Sequence, residues 1–187
     1  MSVDKTEIVA LTEEYGEAWG LKHTERLLEL TLLIGEGRAY DVEAVWLAAH
    51  LHDWGGYAAW ARPGVDHALR SAEVAEEFLA ARACPHDRLA LVLEAILTHH
   101  SAGPGRSLEA TLLSDADALD FLGSVGVLRT FSMMPRDLRS AYDKVRRRRE
   151  QLPHLLQLPR SLELAGPRLA VMDEMLASFE RESCGRF

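Results

Sequence analysis

Apolar positions recur at helical spacing through most of the chain. Leu27, Leu30, Thr31 and Ile34 share one face of a segment over residues 21–34, which stops at Gly35-Glu36-Gly37, where glycine favours a helix end. Ala68, Ala72, Ala75 and Leu79 do the same within residues 65–82. Residues 42–53 are apolar almost all round, as a helix at the centre of a fold must be. Pro85 stands where a first helical turn tolerates it and opens residues 86–100. The same spacing predicts helices over residues 3–19, 107–123, 124–133, 135–151 and 161–181. Residues 55–64, with two glycines and Pro63-Gly64, and the turn Gly103-Pro104-Gly105 interrupt the pattern. No alternating run is long enough for a strand, and neither a repeat nor a low-complexity tract occurs. The expectation is an all-α helical bundle.

Composition narrows this picture. With 187 residues, 48% of them hydrophobic, the chain suits one domain over residues 1–187. Candidate ligands thin out after residue 134, so the reading is a core over about 19–133 and a helical appendage over about 135–187. Apolar runs are short and broken by charges, which argues against a membrane span or membrane partner. The start Met1-Ser2-Val3-Asp4-Lys5 lacks the basic and apolar stretches of a secretory leader. Cys84 and Cys184 are too few for a disulfide framework, so a cytoplasmic protein is expected. The formal charge of −8 disfavours a nucleic-acid polymer as partner but leaves room for a local basic patch that holds phosphate. Four consecutive arginines, Arg146–Arg149, cannot share a helix face and read as a solvated surface. An apolar face on the last helix (Leu169, Met172, Leu176, Phe179) fits either the core or a homodimer interface.

The chemistry concentrates in His52-Asp53, at the end of the most apolar segment. Adjacent imidazole and carboxylate groups offer a divalent metal one nitrogen and up to two oxygens. His23 lies upstream; His67, His99 and Asp117 lie downstream, each in or beside a helical segment. Asp117 stands among Leu112, Leu113, Leu119, Phe121 and Leu122, where burying a carboxylate is costly unless a cation or donors compensate. A metal on His23, His52, Asp53 and Asp117 would compensate it. Two nitrogens and two oxygens suit Mn, Fe, Co, Ni or Zn better than Ca or Mg.

These residues resemble the HD-domain metal-dependent phosphohydrolase superfamily, with a particular likeness to its small bacterial single-domain branch. His23-Thr24-Glu25-Arg26 resembles the family's first-ligand helix. Ala48-Ala49-His50-Leu51-His52-Asp53-Trp54-Gly55 resembles its His-Asp signature. Ile96-Leu97-Thr98-His99-His100 and Asp115-Ala116-Asp117-Ala118-Leu119-Asp120 resemble its later elements, and Gly126-Val127-Leu128-Arg129-Thr130-Phe131 resembles a segment beyond them. The likeness covers roughly residues 19–131. It implies a helical fold and metal-dependent hydrolysis, usually of phosphoesters. In branches with two metals, extra histidines fall where His67 and His99 stand, and Asp53 would bridge the two ions.

Further roles follow from charge. A metal lowers the pKa of bound water towards ~7 and neutralises a phosphate oxygen. Arg26 and Arg70 each lie one turn beyond a candidate ligand, and Arg129 follows the acidic element; all three are candidates to contact phosphate, as forked guanidinium groups do. Asp53 is the central catalytic candidate, with His99 or His100 protonating the leaving oxygen. Trp54, with Tyr57 and Trp60, either lines the pocket or packs in the core. Asp115 and Asp120 read as carboxylates behind the ligands. His50 points to another helix face and reads as packed; His86 and His154 read as surface or loop residues. The expected substrate is a small phosphorylated metabolite or nucleotide, with one or two divalent transition metals. Two rival readings remain: a two-iron oxygenase that cleaves a C–P or C–C bond, and a non-catalytic metal- or nucleotide-binding module.

Overall fold

The structure is a computed structural model that describes residues 3–17 and 19–187. Nine α-helices occur among the described residues, and no strand. They are α1 (Lys5–Tyr15), α2 (Gly20–Ile34), α3 (Val42–Leu51), α4 (His67–Ala80), α5 (His86–Thr98), α6 (Leu108–Asp120), α7 (Gly123–Met133), α8 (Leu138–Gln151) and α9 (Pro159–Glu182). Short 3-10 turns at Trp54–Gly56 and Leu152–Leu155 follow α3 and α8. Among the described residues no helix is long and apolar enough to cross a membrane.

Capping explains most departures from the expected boundaries. The side chains of Asp41, Asp66 and Asp137 accept backbone N–H groups and start α3 where apolar spacing suggests, α4 two residues later and α8 three residues later. Residues 52–53 and 99–100, expected within helices, lie in turns beyond α3 and α5. α9 runs past both expected ends: Pro159 sits in its first turn, and Pro167 lies within it.

α3 and α6 form the centre. α3 packs against α2, α5 and α6, and α6 packs against α2, α3 and α5. Leu27, Leu47, Ala48, Leu51, Ile96, Leu112, Leu113 and Leu119 are fully buried between them. α4 lies on α5 and on the 3-10 turn at Trp54–Gly56. α7, α8 and α9 pack on one another, and α9 also reaches α6 and α2. The apolar face of α9 turns inward: Met172 is fully buried, Leu169 and Leu176 pack on the core, and Phe179 meets Phe131 edge-on at 5.2 Å.

Every residue of α6 after Leu108 is buried, including Asp115, Asp117 and Asp120. Each carboxylate must therefore find donors or a cation. Asp115 finds the backbone N–H groups of Gln157 (3.1 Å) and Leu158 (2.9 Å) and so ties the start of α9 to α6. The placement of Asp115 behind the metal ligands is thus corrected. Its carboxylate is spent on the C-terminal segment, and burial pushes its pKa up.

Candidate metal centre

Helix ends deliver the candidate ligands. His23 lies in the first turn of α2, His52 caps the C-terminus of α3, and Asp53 stands in the turn beyond. His67 is the first residue of α4, and His99 and His100 directly follow α5. Asp117 comes from the last turn of α6. The glycine at 55 makes this convergence possible. Its amide donates to Ser71 Oγ (2.8 Å), and a Cβ there would lie 2.3 Å from Ser71 N and 2.6 Å from the His67 carbonyl oxygen. Only glycine lets the turn after α3 approach α4 closely enough to set His67 beside Asp53.

Two groups of ligand atoms result. His23, His52 and Asp53 each offer one within 4.8 Å of the others, and His67, His99 and His100 do the same. Asp117 joins the first group through Oδ1, 3.2 Å from His23 Nε2, and approaches the second through Oδ2, 3.6 Å from His100 Nδ1. Asp53 also spans both groups. Its Oδ2 lies 3.3 Å from His52 Nε2 and 3.9 Å from His23 Nε2, while its Oδ1 lies 3.7 Å from His67 Nε2.

The ring tautomers suit a cation. His52 Nδ1 donates to the Ala49 carbonyl (2.9 Å), His99 Nδ1 to the Ile96 carbonyl (2.6 Å), and His23 Nδ1 to the Asp120 carboxylate (2.8 Å). Each bond directs the Nε2 lone pair inward. His23 Nε2, His52 Nε2 and Asp117 Oδ1 are then buried without any hydrogen-bond partner, a costly state that a metal relieves. In the second group His67 Nε2 lies 3.4 Å from His99 Nε2 and 3.0 Å from His100 Nε2. Three converging lone pairs repel unless a proton or metal sits among them. The residues present therefore fit divalent cations.

Protonation follows burial and mutual attraction. Burial opposes the charge on Asp53 and Asp117, but His52 and His23 outweigh it, holding Asp53 far below the carboxylate range and Asp117 at about 2. Burial likewise opposes a charged His52, yet Asp53 and Asp117 lift it to about 9, so a cation bound at its Nε2 would take the place of a proton. Burial, with the charges of His52 and His100, drives His99 down to about 3. His99 is therefore neutral at physiological pH and a poor proton donor; burial also lowers the pKa of the half-exposed His100.

Asp120 organises the cationic side. It takes His23 Nδ1, Arg26 Nε (2.6 Å) and Nη2 (2.9 Å), and Arg129 Nη1 (2.5 Å). These donors hold it below its ordinary range against the opposing effect of burial. Arg26 and Arg129 thus stand beside the centre, each with donors left over. Arg70 does not: its Nε donates to the Trp60 carbonyl (2.8 Å) and its Nη1 to Glu73 (2.8 Å), which fastens the loop after α3 to α4. Trp54 is fully buried, bonds Thr12 Oγ1 through Nε1 (3.0 Å) and stacks on Trp60 at 4.6 Å, so it packs the core rather than meeting a substrate. His50 is buried against Trp46, with Nδ1 on the Trp46 carbonyl; His86 and His154 lie on the surface.

Arg148 is the residue missed by sequence reasoning. Its Nη1 donates to Thr130 Oγ1 (2.6 Å), and its guanidinium lies 3.8 Å over Phe121, whose ring lies 5.7 Å from that of His23. The available signal was its helical spacing from Ala141 and Val145, both buried.

Comparison with known proteins agrees with this architecture. A predicted HD superfamily hydrolase from an uncultured Thermotogales bacterium is 26% identical and superposes with a TM-score of 0.69 over 95% of this chain and 92% of its own. Bacillus subtilis YpgQ, solved in complex with ADP, is 22% identical, with a TM-score of 0.72 over 96% of this chain and 97% of its own. An HD-superfamily hydrolase from Bacillus thuringiensis is 19% identical, with a TM-score of 0.70 over 95% of each chain. No curated protein matches the chain. The HD domain profile matches residues 20–122, which hold all six candidate ligands, and by that match the chain belongs to the HD domain family.

Proposed function

We propose that this protein is a metal-dependent phosphohydrolase acting on a small phosphorylated metabolite or nucleotide. The observation that carries the reading is the set of orphaned, inward-facing atoms His23 Nε2, His52 Nε2 and Asp117 Oδ1, with Asp53 divided between them and a second histidine group. His23, His52, Asp53 and Asp117 would hold one cation; His67, His99 and Asp53 would hold a second. A bound divalent cation supplies Lewis acidity towards a phosphate oxygen and towards water. The chain's own residues do the rest. Arg129 and Arg26 orient the phosphate with the donors Asp120 leaves free, and His100 gives a proton to the leaving oxygen. Nucleotides belong among the substrates to try because the fold is shared with YpgQ, whose structure holds ADP.

The second histidine group also supports one rival, a two-iron oxygenase acting on a C–P or C–C bond. Substrate-dependent O2 uptake by the iron-loaded protein, without phosphate release, would favour it. To test the main reading, the protein is loaded in turn with Mn, Fe, Co, Ni and Zn and assayed against phosphomonoesters and nucleotides. Turnover is expected with at least one metal, and Asp53→Ala should abolish both metal content and turnover. Turnover that survives Asp53→Ala means the chemistry lies elsewhere.

A further inference from the structure

The start of α2 and the end of α7 leave a cavity of about 340 Å3 between them, lined by Trp19, Lys22, Arg26, Arg129, Ser132 and Met133. Its lining holds three cations and no carboxylate. The two arginines tie it to the metal centre: both bond Asp120, and Arg129 Nη1 lies 3.1 Å from His23 Nδ1. Two guanidinium groups on one carboxylate leave one positive charge unanswered. Lys22, by contrast, is answered by Glu25 at 2.8 Å. The rest of the lining carries no charge. Ser132 donates its hydroxyl to the Arg129 carbonyl (2.8 Å), and Met133 is 54% exposed. Trp19 is only half-buried, unlike the core residue Trp54. Its ring meets Tyr57 edge to face at 5.5 Å, lies 6.4 Å from the ring of His23 and carries the Arg129 guanidinium at 5.9 Å. An indole and a polarisable thioether therefore border the same space as a guanidinium with charge to spare. The volume is at the small end of ligand pockets, about 300–1,000 Å3, and suits one ring system. A second phosphate there would meet only Lys22, already paired.

We propose that this cavity takes the organic part of the substrate as a flat aromatic ring stacked on Trp19, with the adjoining phosphate on Arg26 and Arg129. The short distance from the Trp19 ring to the Arg129 guanidinium requires that ring and phosphate be close neighbours in the substrate. The inference rests on the phosphohydrolase reading and narrows it to phosphate esters that carry an aromatic ring near the phosphate. It makes Trp19 a determinant of specificity rather than a catalytic residue. Trp19, Ser132 and Met133 all lie outside the matched HD segment of residues 20–122.

The test is calorimetric and separable from turnover. Protein loaded with Mn or Zn, so that no iron chemistry intervenes, is titrated with benzylphosphonate, cyclohexylmethylphosphonate and methylphosphonate, whose C–P bonds resist hydrolysis. Wild type is expected to bind benzylphosphonate about tenfold more tightly than methylphosphonate, the scale of one ring stacked on an aromatic side chain, and more tightly than the cyclohexyl compound. Trp19→Ala should remove the preference for benzylphosphonate and leave methylphosphonate affinity unchanged, and Trp19→Phe should recover most of the preference. Should Trp19→Ala fail to fold, Ser132→Trp decides: its side chain, added at an exposed position, fills the cavity and should exclude the ring but not methylphosphonate. A benzyl ring that binds no better than a methyl or cyclohexyl group overturns the proposal, as does equal weakening of benzylphosphonate and methylphosphonate in Trp19→Ala. If phosphoesters are hydrolysed but the ring makes no difference, the cavity proposal falls alone. If none is hydrolysed but the preference depends on Trp19, the hydrolase reading fails and the cavity proposal stands.

Discussion

His23 shows how one side chain joins the two halves of the site. Its Nε2 faces Asp117 at 3.2 Å without a hydrogen bond, while its Nδ1 donates to Asp120 at 2.8 Å. The carboxylate behind it fixes the tautomer and raises the basicity of the ligating nitrogen. Asp120→Asn should therefore lower metal affinity roughly 10- to 100-fold while leaving every ligand in place. Competition with a coloured chelator measures this; an unchanged affinity would show that Asp120 serves only its arginines. The candidate ligands were legible as an ordered series of His and Asp residues within helical segments. The partners of Arg70 and the burial of Trp54 were not, because both depend on Trp60, brought against them by a loop without a readable pattern.

Helix ends, more than helix faces, build this centre. His52, His67, His99 and His100 all lie within a residue or two of a helix terminus. Small boundary shifts therefore change what they can touch. His99 and His100, which would point apart on a continuing helix, both reach the site because α5 stops at Thr98. Gly123, at φ +83°, similarly lets α7 turn sharply off α6 and carry Arg129 back to Asp120. Gly55 is the tightest of these joints. Gly55→Ala forces a Cβ against the α4 backbone and should cost about 1–3 kcal/mol, as overpacking does. It should also weaken occupancy of the second histidine group more than the first. Urea unfolding and metal stoichiometry together check this; a variant as stable as wild type with full metal content would show that the turn can shift at no cost.

Across the whole molecule, the three buried aspartates of α6 face different partners: Asp115 holds the start of α9, Asp117 faces the candidate metal, and Asp120 gathers cations. Metal binding should consequently stabilise the entire fold. At a free metal concentration of 100 Kd the gain is about 2.7 kcal/mol, and a chain of this size moves by about 2–4 °C per kcal/mol. Chelation should lower Tm by roughly 5–10 °C, and Asp53→Ala should abolish that difference; scanning calorimetry with and without chelator reads both. The sequence by itself determined the helical class, the central apolar segment and the ordered ligand candidates, because 3.6-residue periodicity and metal-donor chemistry are written in local spacing. Only the tertiary structure decided which atoms of Asp53 face which histidines, that Asp115 serves α9, and that Arg148 reaches Thr130 over the face of Phe121. Those choices depend on contacts between residues far apart in the chain, which local spacing does not encode.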